Sequence, residues 1–297
     1  MLVESPQTLK DVAGGLEDPF AGRYIPKFRV RPLIAPESSD AVIKWLRVGE
    51  GFELVSYDLS DVDHFEIRSA PPKPYVNESP YFFILQVLSR QYVKKGYLML
   101  TDTVAIHNPR NGETHLFMGY PHTGKSTLLA LSLGLGLRPL TTENTILEVR
   151  RGEAYVIGGT NILVFDPRIE EKYGVRLSPA TRTKHGYGIK PLTGVAEGDA
   201  YRVTSLNIIY CSFSSTGANF KPVKGRKALK LLWHFATSVI RGTDYYEPAP
   251  PNLSDPALDL VIADLVRELA TKYGKVFREA FGSHIEVLEA VFKGNSL

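Results

Sequence analysis

At 297 residues the chain is long enough to bury a sizeable core, in one large domain or two ordinary ones. Hydrophobic residues make up 43% and charged residues 23%, ordinary globular usage that excludes a disordered or fibrous class. The 35 Lys and Arg against 32 Asp and Glu leave a net charge of only +3, too little for a general nucleic-acid binder, and the single cysteine, Cys211, excludes an internal disulfide or a cysteine-based zinc site within one chain.

The opening segment MLVESPQTLKD has acids and a proline where a secretory leader needs an apolar core. No run of about 18 apolar residues occurs, so no membrane partner is expected and the cytoplasm is the default location. Residues 1 to 40, rich in Pro, Gly and mixed charge, read as irregular structure with short strands at most. FELVSYDLS (52–60) and HFEIRS (64–69) alternate as strands do. After a proline break, YFFILQVLSRQYVKKG (81–96) reads as a helix stopped by Gly96. YLMLTDTVAIHN and ETHLFMG read as the two arms of a hairpin around Pro109-Arg110-Asn111-Gly112. KSTLLALSLGLG is apolar almost all round and predicts a buried helix, followed by short strands at RPLTT, TILEV, AYVIG and NILVF and a long one at YRVTSLNIIYCSFS (201–214). The apolar IIYCSF context makes Cys211 a core residue. GRKALKLLWHFATSVIR and, beyond the linker EPAPPNLSDP, the stretch from Asp255 to about Lys293 read as helical.

The hairpin's second arm runs into GYPHTGKS, residues 119–126, which has the spacing G-x-x-x-x-G-K-S of a phosphate-binding loop between a strand and a helix. Gly119 and Gly124 let the backbone curl into an anion nest with His122 and Thr123, and the helix N-terminus adds its positive end. Lys125 is placed to neutralise β- and γ-phosphates and the Ser126 hydroxyl to ligate Mg²⁺, with Thr127 packing or capping behind. His122 reads first as a solvated loop residue and second, as His⁺, as a phosphate contact. The expected ligands are ATP or GTP with Mg.

Metal binding or activation of an acceptor hydroxyl needs a carboxylate at a strand end near the loop, and two acids compete. Asp166 follows the apolar run NILVF, yet DPRIEEKYG also spells a helix cap, with Pro at the first helical position and a Gly stop. Glu143 lies eighteen residues beyond Lys125 at the end of a strand, helix, strand unit that returns the chain beside the loop. This favours Glu143 as base and metal ligand, with Asp166 the alternative.

From about Gly96 to Val149, the hairpin, GYPHTGKSTLL, GLGLRPLTTENTILEV and the following GEAYVIGGT resemble the HPr kinase-like proteins, whose nucleotide fold is related to that of PEP carboxykinase. The resemblance implies a mixed-sheet α/β kinase core and, seventeen and eighteen residues beyond the loop lysine, a pair of aspartates for metal binding and acceptor deprotonation. Here those positions hold Thr142 and Glu143. Thr142 cannot serve as a carboxylate base, which shifts the role to Glu143 or to an acid elsewhere such as Asp166. A hairpin histidine frequent in that family is replaced by Thr101, with His107 further on.

Two cationic clusters, Arg176, Arg182, Lys184, His185 and Lys190, and Lys221, Lys224, Arg226, Lys227 and Lys230, read either as solvated faces or as lids over a transferring phosphate. SSTGAN (214–219) reads equally as a turn or as a polar contact for an acceptor. The expected function is a kinase passing a γ-phosphoryl group to a small-molecule hydroxyl. The alternatives are a nucleotide-binding regulator or slow NTPase, or an HPr kinase-like protein Ser/Thr kinase. Three regions are expected, 1–95, 96–245 and 246–297, in one compact unit, with N-terminal strands extending the central sheet and the last two helices outside it. A homo-oligomer is allowed, and nucleic acid and membrane are not expected as partners.

Overall fold

A computed structural model describes residues 1–4, 9–26, 38–46, 51–242 and 251–293. The architecture is mixed α/β, with mixed sheets and helices on both faces of the largest one. The boundary expected at 245 and residues 247–250 of the expected linker lie outside the described residues.

The N-terminal region contains β1 (Leu2–Glu4), helix α1 (Leu9–Leu16) and a 3-10 turn, Pro19–Arg23, before β2 (Ala41–Leu46), β3 (Phe52–Asp58) and β4 (Asp63–Ser69). The helix corrects the expectation of irregular structure: Gly14 and Gly15 dilute its helical signal, but Val12 and Leu16, four apart, are both buried. These strands form their own sheet, ordered β1-β2-β4-β3, and do not extend the central one as expected. Its inner face packs on helix α2 (Ser79–Lys94), where Phe83 meets Phe52 and Phe65 at ring-centroid distances of 5.3 and 5.4 Å.

The expected first hairpin arm is split in two, β5 (Tyr97–Leu100) and β6 (Thr103–His107), and only β6 pairs with β7 (Thr114–Met118). Asp102 marks the break, with a left-handed φ of 48° that Asp tolerates better than the β-formers around it. Helix α3 (Lys125–Gly134) follows, then β8 (Arg138–Thr141), β9 (Thr145–Arg150), β10 (Glu153–Gly159), β11 (Ile162–Phe165) and helix α4 (Arg168–Tyr173). The glycine-punctuated basic segment beyond contributes β12 (Thr181–Arg182) and β13 (Gly188–Pro191), which with β11 make a small separate sheet. Next come β14 (Tyr201–Cys211), β15 (Ala218–Pro222), α5 (Gly225–Thr237), α6 (Pro256–Lys272), β16 (Phe277–Gly282) and α7 (His284–Phe292). The strand β16 corrects the expected run of helix from Asp255 to Lys293. Gly274 ends the helical stretch, and FREAFG buries Phe277 and Ala280 in a slot between β14 and β15.

The long strand β14 organises the central sheet. Its first residues pair antiparallel with β10, and from Val203 onward it runs parallel to β7 on one side and, from Leu206, parallel to β16 on the other. β6 and β8 complete the β7 side, and β9 and β5 the β10 side. Alternation sorts the side chains to two cores. Leu116, Met118, Leu206 and Ile208 join the core with α2, α5 and α6, while Phe117, Ile209 and Cys211 join the one with α3, α4 and α7. A strand apolar on both faces, as β7 is, belongs in such a sandwiched position.

A buried ion cluster ties the N-terminal sheet to the rest. Asp63, fully buried at the start of β4, accepts from Arg90 Nε of α2 at 2.8 Å. Arg90 also donates to Leu253 O and to Asp255, the N-cap of α6, at 2.8 Å each. Arg90→Met takes the guanidinium from the buried Asp63 carboxylate, which keeps Gln91 and, at 3.4 Å, Lys94, and also from Asp255, so chemical denaturation should show a loss of about 3 kcal/mol. Lys95→Met, which removes only an exposed pair with Asp40, should cost less than about 1 kcal/mol.

Candidate functional site

The strand β7 ends at Met118, and the chain curls through Gly119–Gly124 into α3. Left-handed φ values at His122 (67°) and Gly124 (101°) bend the loop sharply, the kind of backbone turn from which anion-binding nests are built. The first turn of α3 adds N–H groups without intrahelical partners. Only glycine suits position 124: besides its φ, a Cβ there would lie 2.5 Å from His284 Nε2. His284 opens α7, is buried, and holds the Tyr173 hydroxyl at 3.0 Å through Nδ1. Burial pushes its pKa down to about 4, so a neutral ring lies against the loop. Below it the backbone N–H of Cys211 donates to Thr123 O at 3.0 Å, and burial pushes the Cys211 thiol up to about 12, in keeping with a core residue.

Within the loop, the Thr123 hydroxyl donates to Tyr120 O at 2.8 Å. Ser126 is exposed on the first turn, and Thr127 is buried against the core side of α3. Lys125 is itself buried and folds back along the loop. Its ammonium donates to Gly119 O and, at 3.0 Å, to Tyr120 O, and it pairs with Asp102 Oδ1 at 3.0 Å. Asp102 reaches it because Gly119 N donates to Asp102 O at 3.1 Å, one rung beyond the end of the β6–β7 ladder.

Beside this ion pair opens a cavity of about 300 Å³ lined by Arg23, Tyr24, Phe82, Asp102, Tyr120, Glu143, Asn144 and His234, among others. Glu143 stands here because β8 runs in the same sense as β7, two places away in the sheet. Its carboxylate faces Arg23 Nε at 3.6 Å and keeps 42% of the side chain open to the cleft. Partial desolvation in the cleft raises its pKa above the ordinary 4.5, against the opposing pull of Arg23 and Lys125.

The turn bearing Glu143 is fastened by threonines. Thr160 Oγ1 accepts the backbone N–H of both Glu143 and Asn144 at 2.9 Å and the Thr142 hydroxyl at 3.1 Å. Glu143 O in turn accepts Thr103 N at 2.9 Å, joining the Glu143 turn to the strand that begins beside Asp102. Thr145 Oγ1 donates to Thr103 O at 2.8 Å. A Cβ on Gly159 would lie 2.3 Å from Asn144 O, so the close approach of β10 to this turn needs glycine. Asn144 is buried, donates to Tyr24 O at 3.3 Å, and has no donor for its Oδ1 among the described residues.

The other candidates lie elsewhere. Asp166 does not line the cavity; its carboxylate accepts Arg168 N at 2.9 Å and the Arg168 guanidinium, which holds its pKa low. Thr101 donates its N–H to Phe235 O. His107 bonds Thr114 Oγ1 at the far end of the β6–β7 hairpin. Lys227 pairs with Glu279 at 2.6 Å, and Lys221 lies over the Phe281 ring; no member of either basic cluster lines the cavity. Sequence reasoning missed Asp102, Arg23, His234 and His284. Of these only Asp102 carries a local signal, an Asp between threonines interrupting a long β-run.

A scan of protein-family models gives no match to this chain, and a search of curated proteins gives none either. Among the described residues no three His, Cys, Asp or Glu side chains gather as a metal site, and no helix is long and apolar enough to cross a membrane.

Thr160→Val keeps the shape and removes the hydroxyl, leaving two buried amides unpaired. Denaturation should show a loss of at least about 2 kcal/mol, whereas Thr160→Ser should stay within about 1 kcal/mol.

Proposed function

We propose that the protein is a nucleotide-dependent kinase of the HPr kinase-like type, which transfers the γ-phosphoryl group of ATP or GTP to the hydroxyl of a small molecule. One observation carries this reading: the buried Lys125 ammonium is shared between the loop and Asp102, whose carboxylate lines a cavity that also holds Glu143. A phosphate nest, a mobile cation and a carboxylate next to an acceptor-sized space are the parts phosphoryl transfer needs.

In this reading the nucleotide's phosphates occupy the nest of Gly119–Gly124 and the α3 N-terminus, and Lys125 leaves Asp102 and the loop carbonyls for the β- and γ-oxygens. The exposed Ser126 hydroxyl fits Mg²⁺, which it would hold together with phosphate oxygens and water, leaving Glu143 free as the base; the ion would supply charge neutralisation at the transferring group. The acceptor lies in the cavity with its hydroxyl toward the loop. Glu143 takes the hydroxyl proton while the acceptor oxygen bonds to the γ-phosphorus and the bond to the leaving diphosphate breaks. The raised pKa makes the Glu143 carboxylate a stronger base than a solvated one. Thr142 stays outside the chemistry, its hydroxyl spent on Thr160. The small volume of the cleft, about 300 Å³, favours a small acceptor, and the bonding of Asp166 to Arg168 leaves that acid a structural part.

The test is incubation with ATP or GTP, Mg²⁺ and pooled hydroxyl metabolites, reading new phosphorylated masses. Wild type should form a product, with Lys125→Ala and Glu143→Gln each lowering its rate about 100-fold or more. Nucleotide binding that depends on Lys125 without any product, and without effect of Glu143→Gln on hydrolysis, would replace this reading with a nucleotide-sensing one. The pH profile provides a second check. Because the Glu143 carboxyl is raised, kcat/KM should fall on acidification through a value above 4.5, and not at the ordinary glutamate value. Protonation there removes the base, so the limb descends toward low pH.

A further inference from the structure

Resting on the kinase reading, we infer that the acceptor is a compact amino alcohol whose ammonium group takes the place of Lys125 beside Asp102. The argument starts from charge. In the free protein Asp102 is mostly enclosed, with 17% of its side chain exposed, and its cationic partner is Lys125 at 3.0 Å. Movement of Lys125 to the phosphates strands this carboxylate, and an enclosed unpaired carboxylate is costly. Arg23 does not replace it: its Nε faces Glu143 at 3.6 Å and its Nη1 the Tyr75 hydroxyl at 3.3 Å, and its guanidinium lies within 6 Å of the Phe20, Tyr24 and Tyr75 rings.

With Lys125 turned away, the cavity is lined by two carboxylates and one guanidinium, and so favours a cation. Its remaining walls agree. Tyr24, Phe82, Tyr120 and His234 line it with rings, Tyr120 and His234 tilted at 47° with 5.1 Å between centroids, and the faces of the Tyr and Phe rings attract an ammonium group when water is excluded. A neutral polyol would leave Asp102 unpaired, and an anionic acceptor would meet two carboxylates. The volume of about 300 Å³ is at the small end for ligand sites.

Nucleotide and amine should therefore bind cooperatively, since the first frees the carboxylate that the second occupies. The experiment measures thermal shifts and product masses with a non-hydrolysable ATP or GTP analogue and with ATP or GTP, respectively. Short-chain amino alcohols are compared with the neutral alcohols that carry a methyl in place of the ammonium group. The amino alcohols should raise the melting temperature further only with nucleotide present, and should be phosphorylated with kcat/KM at least tenfold above the neutral alcohols. Asp102→Asn should raise KM for the amine about 30-fold or more, at least tenfold more than it raises KM for the neutral alcohols. Equal phosphorylation of both series, equal damage to both by Asp102→Asn, or a nucleotide shift with no response to any amine would overturn the amine assignment while leaving the kinase standing. Absence of any nucleotide shift in wild type would remove the kinase reading and this inference with it.

Discussion

The contact between Lys125 and Asp102 decides what the rest of the site is for. A lysine buried at a helix start needs a partner within reach, because an isolated buried ammonium is far too costly to keep charged. Two loop carbonyls and one carboxylate supply it here, and the carboxylate comes from a different strand connection. Asp102 holds a left-handed backbone to do so, as does His122 on the other side of the loop. Non-glycine residues in that region carry strain that persists only where surrounding structure over-determines them. Of these two, one holds the cation and the other lies in the loop that the cation spans, so the fold maintains a strained arrangement here.

The over-determination is visible in the hydroxyl network. Thr103, Thr141, Thr142, Thr145 and Thr160 are all buried, and a buried hydroxyl is tolerable only when bonded. Thr141 Oγ1 accepts Ala105 N at 2.8 Å and shares a 2.6 Å contact with Thr145 Oγ1, so β6 and the start of β9 are pinned by side chains where their ladders end. The same small β-branched residues suit the crowded pleat and supply the bonds that hold both acid-bearing turns. A valine at 103, 141, 145 or 160 would pack comparably and leave an amide or carbonyl open. Asp102 and Glu143 thus owe their common cavity to polar groups that themselves perform no chemistry.

How much of this was legible in the sequence follows from how local each determinant is. The strand, glycine loop and buried helix were legible because spacing and apolar run lie within twenty residues, and Glu143 was found because the length of one strand, helix, strand unit fixes where the chain returns. Asp102 was harder: YLMLTDTVAIHN reads as one strand unless the Asp is given its preference for left-handed turns. β16 was lost because FREAFG is short and flanked by helical sequence, and its identity as a strand depends on the slot between β14 and β15, partners more than fifty residues away in the chain. Arg23 had no signal. Its place at the cavity comes from the 3-10 turn that Asp18 caps through Phe20 N at 2.8 Å and from Glu78, which accepts both the Tyr24 hydroxyl and Tyr75 N.

The last elements of the chain bear on the loop in a way that its own sequence conceals. Ser283 caps α7 by accepting Glu286 N at 3.3 Å and donating to Glu286 Oε2 at 2.6 Å, and Glu286 Oε2 also accepts Gly217 N at 2.6 Å. This fixes the start of α7 over the end of β14, and with it the His284 ring against Gly124. The ring occupies the volume that any larger residue at 124 would need, so the glycine spacing of the loop and the position of a helix 160 residues later in the chain are one steric constraint. A helix docked through its N-cap serine and a buried neutral imidazole is a stiff support, and it braces the loop at Gly124, one residue before the lysine that pairs with Asp102.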